Sequence, residues 1–303
     1  MPRRSTEPIL IAGTGRVAQA MGRLLAEQGE PVLAVAGRDP GRAAAAAAFI
    51  GYGARSAALN APPKRATRVL VAVSDNAIGE VARTLAEAGI KRGAALHTCG
   101  AMGREALAPL AAAGVSCGAI HPLQTVASPE QGLSALTGCV FAVDGDPPAL
   151  AWAESIVQAL GGSSLRIPPE ARPLYHAAAV MAANYVVALV DAAAMLMKAA
   201  GVEQCVALRA LGPLVEASAT NALRLGPVEA LTGPIQRGDL VTLSGHVRAL
   251  EGAPETVRDL YRSAGLHALD IAVRRGLEPD RARRIDKLLR EGVLENGGSD
   301  EAG

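Results

Sequence analysis

The sequence predicts an α/β N-terminal domain, built on a doubly wound and mostly parallel sheet, followed by an all-α C-terminal domain. Three observations predict it. Short continuous apolar runs alternate with helical patterns from residue 8 to about 145. A glycine turn, Gly13-Thr14-Gly15, closes the first run and opens the first helix. Beyond Pro168, Pro169 and Pro173 the alternation stops and only helical periodicity remains. The expected domains are residues 1–168 and 169–291, with the glycine-rich and acidic stretch 292–303 as a mobile tail.

Strands covered on both faces read as unbroken apolar runs. Such runs occupy 9–12, 32–36, 69–73, 94–97, 117–120 and 139–143, and 163–167 is a last strand. Helical patterns cover 16–28, 42–49, 75–88 and 104–113, and Pro147-Pro148 opens another over 149–160. In the second domain, helices are expected over 174–200, 202–225, 239–250, 254–275 and 279–291. Gly201, Gly226, Gly252 and Gly276 fall just past helix ends, where a left-handed residue is needed. Asn184, Asp191 and Lys198 recur every seven residues, so they share one polar stripe on an otherwise apolar rod. Asp191 and Lys198 are read as facing solvent or a like subunit. Asn184 is read either in the same way or as facing a cleft between the domains.

Composition excludes several function classes. The chain has 303 residues, a formal net charge of +1 and seven aromatic side chains. It lacks the basic field and the stacking platforms of nucleic-acid binding. High apolar content and low net charge exclude disorder as a whole. Cys99, Cys117, Cys139 and Cys205 form no C-x-x-C pair and no metal-ligand spacing, and are expected as buried thiols of a reducing compartment. The first apolar stretch is too short for a signal peptide. Asn184 and Asp191 interrupt the long apolar region 177–197, which is expected as a buried helix of a soluble cytoplasmic protein, with no membrane partner.

Gly13-Thr14-Gly15-Arg16-Val17-Ala18 has the G-x-G-x-x-A form of a dinucleotide-binding fingerprint. The glycines permit a tight turn and close approach of the backbone to a pyrophosphate. The small Ala18 lets helix and strand pack, and the helix N–H groups meet negative charge. The first domain is therefore expected to be Rossmann-like. At the end of the second strand, where NAD enzymes carry an acid for the ribose hydroxyl, this chain has Gly37-Arg38. A guanidinium suits a 2′-phosphate, so the expected cofactor is NADP(H), with Arg38 as its selector. Asp39 is assigned to the turn with Pro40, and Arg42 either adds a phosphate contact or is solvated.

These motifs, with His97-Thr98-Cys99-Gly100-Ala101, His121-Pro122-Leu123-Gln124-Thr125 and the segment from Leu231 to Asp239, resemble one bacterial family. It has a Rossmann-like N-terminal domain and a helical C-terminal domain of unknown function. Members are similar to pyrroline-5-carboxylate reductase, ketopantoate reductase and prephenate dehydrogenase. The resemblance implies an all-helical second domain, hydride transfer with NADP, a site between the domains and pairing of the helical domains in a homodimer.

Reduction of a carbonyl or imine needs a proton donor and groups that orient the substrate. His121 stands at a strand carboxyl end, where α/β sheets place ligands, and a similar His-Pro pair contacts substrate in prephenate dehydrogenases. His176 stands where ketopantoate reductases have a catalytic lysine, with Asn184 near their later asparagine. His121 and His176 are thus the expected acids and Asn184 the substrate-orienting group. Ser74 and Asp75 are expected to cap a helix and contact the nicotinamide half. Cys99 stands where related chains often have serine. His97 reads as a core residue, and His246 and His267 as surface or packing residues. Arg237 is a candidate carboxylate ligand and Asp239 a helix cap. The expected activity is that of an NADP-dependent reductase or dehydrogenase of a small carbonyl or imine compound. A non-catalytic NADP(H) sensor is the alternative.

Overall fold

The apolar runs become the centre of one eight-stranded sheet. The computed structural model describes residues 7–292, so 293–303 of the expected tail lie outside the described residues. The strands are β1 (Ile9–Ala12), β2 (Val32–Gly37), β3 (Arg55–Ala58), β4 (Arg68–Val71), β5 (Ala94–His97), β6 (Ser116–Pro122), β7 (Val140–Gly145) and β8 (Ser163–Arg166). Their order is β3-β2-β1-β4-β5-β6-β7-β8. All neighbours pair in parallel except β6 and β7.

Side chains alternate across a strand, so each run feeds two cores. Ile9, Ile11, Val35 and Phe141 pack on one face beneath α1 (Arg16–Glu27), α2 (Pro40–Ile50) and α6 (Pro147–Ala159). Leu10, Ala12, Ala34 and Val69 pack on the other beneath α3 (Ile78–Glu87) and α4 (Ala108–Ala112). Two elements around the sheet were not expected, and neither were the short helices at Pro227–Ala230 and Pro234–Arg237. Edge strand β3 has the sequence Arg-Ser-Ala-Ala and is mostly exposed, so no apolar run marks it. Helix α5 (Pro129–Leu136) is short, but its start is legible: Ser128 accepts the Gln131 N–H, and Pro129 takes the first helical position.

The chain divides into two units, Met1–Ala183 and Asn184–Gly303, rather than at the proline break. The expected helix over 174–200 is two helices, α7 (Arg172–Ala182) and α8 (Asn184–Ala199), separated at Ala183, whose φ of −120° and ψ of −69° leave the helical region. Arg172 explains why α7 stays with the sheet. Its buried guanidinium donates to the Met102 carbonyl (3.0 Å) and lies 3.7 Å from the Asp144 carboxylate on β7.

The second unit is all-helical: α8, α9 (Gln204–Leu225), α10 (Pro227–Ala230), α11 (Pro234–Arg237), α12 (Leu240–Ala249), α13 (Glu255–Arg274) and α14 (Pro279–Glu291). Leu243, Val247, Leu269, Ile285, Leu288 and Leu289 form its core. Gly201, Gly226 and Gly276 have positive φ as expected. Gly252 does not, because it closes a short 3-10 turn. Asp239 caps α12 by accepting the Thr242 N–H (3.0 Å). Two burial expectations are corrected. Cys205 is exposed. The long apolar region is not buried: α8 buries only Ala194 and exposes Tyr185 and Val187, alongside Asn184, Asp191 and Lys198. By length and composition the stretch Pro169–Ala199 is apolar enough to cross a membrane, and it breaks at Ala183.

Candidate active site

In an open α/β sheet ligands bind outside the strand carboxyl ends where the strand order reverses. Here that point lies between β1 and β4. The Gly13 N–H donates to Ala36 and the Ala72 N–H to Ala12 (both 2.8 Å), which draws the ends of β1, β2 and β4 together. Gly13 sits at φ +131°, and a side chain there would run into the Ala72 carbonyl. Gly15 caps α1 in extended conformation, and a Cβ on it would meet nothing within 4 Å. The turn is thus tight on the protein side and open on the other, the shape that a pyrophosphate facing free helix N–H groups requires. The first turn of α1 contains no acid to oppose an anion.

A cleft of about 570 Å³ extends from this turn. Thr14, Arg16, Val17, Arg38, Arg42 and Ser74 line it with the two glycines. Ala18 is fully buried and serves helix–strand packing instead. Asp39 also borders the cleft, but its carboxylate accepts the Arg42 N–H (2.7 Å) and caps α2. Arg38 at the end of β2 and Arg42 in the first turn of α2 are exposed, so the residues present fit an extra phosphate better than a bare ribose. Thr98, Val73 and Leu59 also line the cleft and were missed, because nothing in their residue types distinguishes them.

Ser74, Asp75 and Cys99 separate. Ser74 reaches the cleft, but its side chain caps nothing; its carbonyl accepts the Ala77 N–H instead. Neither Asp75 nor Cys99 is among the described residues lining it. Cys99 is buried, and burial followed by a hydrogen bond with Asp75 raises its pKa, which makes it a poor nucleophile.

A second cluster gathers at the ends of β5 and β6. His97 is fully buried; its Nδ1 accepts the Cys99 N–H (3.2 Å) and its Nε2 donates to the Gly103 carbonyl (2.7 Å). It is a core histidine as expected, and burial lowers its pKa. His121 at the end of β6 meets Tyr175 of α7, with Nδ1 2.8 Å from the phenol oxygen. The His176 ring stands edge-on to His121 at a centroid distance of 5.9 Å. Gly100 lets both rings approach: a Cβ there would lie 2.7 Å from His176 Nδ1 and 2.9 Å from His121 Nε2. Burial pushes His121 down to about 4, helped by the charges of His176 and Arg172 and opposed by Asp75. His121 is therefore neutral at pH 7, so an imidazolium proton is not available from it. What it offers is a hydrogen bond.

The structure thus brings His121 and His176 together and adds Tyr175, Arg172 and Gly100. The missed side chains carried one signal: Arg172, Tyr175 and His176 are spaced i, i+3, i+4. Asn184 opens α8 in the other unit and is exposed. Arg237 is exposed and lies 4.0 Å from Asp239. His246 and His267 are exposed, as expected.

In class the N-terminal domain is Rossmann-like: the model of the Rossmann-like domain matches residues 3–122. More particularly, the domain of unknown function DUF2520 matches residues 139–268, so the chain joins these two domains, in agreement with the resemblance read from its motifs. Among curated protein sequences none matches. A provisionally assigned NADP oxidoreductase from Bacteroides fragilis is similar in structure, with 23% identity and a TM-score of 0.73 over 86% of this chain and 97% of that one. A protein from Thermotoga maritima has 24% identity and a TM-score of 0.67 over 88% and 98%. A pyrroline carboxylate reductase from Plasmodium falciparum, solved with NADP bound, has 11% identity and a TM-score of 0.59 over 93% and 99%. At these identities the likeness is one of fold.

Proposed function

We propose that this chain is an NADP(H)-dependent oxidoreductase acting on a small carbonyl or imine compound. The observation that carries the reading is the cleft itself. Its turn leaves room at Gly15, Arg38 stands at the end of β2 with Arg42 in the first turn of α2, and the Asp39 carboxylate between them is taken up by a helix cap. Solved relatives of the same fold with NADP in their names support it. When bound, the nicotinamide supplies the hydride. The chain's own groups hold the phosphates at Gly13–Val17 and Arg38, and offer hydrogen bonds to a substrate oxygen or nitrogen from His121 and His176. That pair of converging imidazoles favours catalysis over a sensor.

The test is a calorimetric titration. NADPH is expected to bind at least ~10-fold tighter than NADH, about 1.4 kcal/mol, and Arg38→Ala to remove the preference. Equal affinity of the wild type for both cofactors sinks the assignment.

The reading includes a soluble homodimer. Tyr185, Val187 and Leu189 of α8 and Leu214 and Leu223 of α9 are exposed, beside an open apolar groove of about 440 Å³ in the same unit. Exposed apolar patches of this kind mark interaction surfaces, and a second copy carries matching apolar helices. The polar stripe of Asn184, Asp191 and Lys198 and the break at Ala183 argue for pairing over a membrane span. Sedimentation should give twice the 30.8 kDa chain mass. A soluble monomer at micromolar concentration contradicts the pairing.

A further inference from the structure

Helix α7 carries Arg172, Tyr175 and His176 on one face, because residues three and four apart are neighbours on a helix surface. Arg172 presses that face onto the sheet through Met102 and Asp144. The Tyr175 phenol oxygen then lies 2.8 Å from Nδ1 of His121, with the two rings edge to face at 5.7 Å. The other ring nitrogen, Nε2, faces the place beside Gly100 that His176 Nδ1 also faces.

A neutral imidazole has one N–H and one acceptor nitrogen, and the partner at one nitrogen decides the state of the other. Tyr175 keeps its proton, because burial raises its pKa. Among the described residues its hydroxyl has His121 as its hydrogen-bond partner. Within the protein that proton is satisfied only if Nδ1 accepts it.

We propose that Tyr175 is a positioning residue: it donates to Nδ1 and holds His121 in the Nε2–H tautomer, so that the ring offers a substrate an N–H rather than a lone pair. The substrate part rests on the oxidoreductase reading; the tautomer does not. If the phenol accepted instead, His121 would offer only a lone pair, which cannot support charge developing on a substrate oxygen.

Long-range proton–nitrogen spectra of the whole chain carrying ¹⁵N-histidine test this at pH 7, with His121→Gln identifying the signals. The wild type is expected to show a pyridine-like Nδ1 and a pyrrole-like Nε2. Tyr175→Phe keeps the ring and removes the donor. It should move both His121 nitrogens toward an exchange-averaged position, while NADPH affinity stays within about twofold, a few tenths of a kcal/mol. A proton on Nδ1 in the wild type overturns the proposal, and so does an unchanged pattern in Tyr175→Phe. If that variant does not fold, the wild-type spectrum alone decides. Failure of the cofactor reading would appear separately, as a wild type that does not bind NADPH, with the tautomer still readable.

Discussion

Gly15 separates a ligand effect from a folding effect. Its φ of −78° and ψ of 177° are open to any residue, and a Cβ would meet no protein atom within 4 Å. Gly15→Ala therefore strains nothing in the free protein. Losing a glycine stabilises by about 0.4–1 kcal/mol through the unfolded chain, and alanine is a poorer N-cap by a similar amount, so the two nearly cancel. With a dinucleotide in place, the methyl stands in the space that the pyrophosphate must enter. Pushing the phosphate back loses at least one charge-assisted hydrogen bond from the α1 N-terminus, worth about 1.5–3 kcal/mol. That corresponds to about 10- to 100-fold in affinity. Thermal unfolding and NADPH titration read the two halves independently. A variant that binds NADPH as tightly as the wild type would show that no pyrophosphate sits at Gly15, and the placement of the cofactor would be wrong.

Gly100→Ala puts a methyl 2.7–2.9 Å from both imidazoles, closer than ordinary contact, and His121 is tethered by Tyr175. An overpacking cost of about 1–3 kcal/mol is expected, read as a fall in Tm of about 2–4 °C per kcal/mol; an unchanged Tm would contradict the convergence of the rings. Arg172→Ala removes the bond to Met102 and leaves Asp144 without its cation, for an expected loss of about 3–5 kcal/mol in a urea titration. A loss under ~1 kcal/mol, the worth of an exposed pair, would show that this clamp does not hold α7. Burial keeps His121 near about 4 and lowers His97 as well, so the unfolded chain binds protons that the folded one refuses. Stability present above pH ~6.5 should therefore be lost as pH falls toward ~4. Urea midpoints across that range should decline, less steeply in His121→Gln; midpoints independent of pH would show that these histidines are not buried.

Much of the sheet was legible because its strands are covered on both faces. The run at 94–97 coincides with β5, and those at 9–12 and 32–36 with β1 and nearly all of β2. Strand β3 escaped because an edge strand needs no apolar run, and α5 because eight residues are too few for a helical period to stand out. The glycine turn was legible for a different reason: glycine, glycine and a small residue answer local demands of backbone and packing. The histidine cluster was legible only in part. His121 and His176 stood out by type, whereas Tyr175, Arg172 and Gly100 matter through contacts up to 76 residues away.

By itself the sequence determined what local chemistry controls: most of the strands and helices, where the glycine turn lies, and which charge stands at the end of β2. The tertiary structure alone decided where the long apolar rod breaks, which unit α7 joins and which state His121 takes. Periodicity is a property of neighbours along the chain and runs on unchanged through Ala183. Buried ion pairs and depressed imidazole pKa values arise from groups distant in sequence that share a place without water.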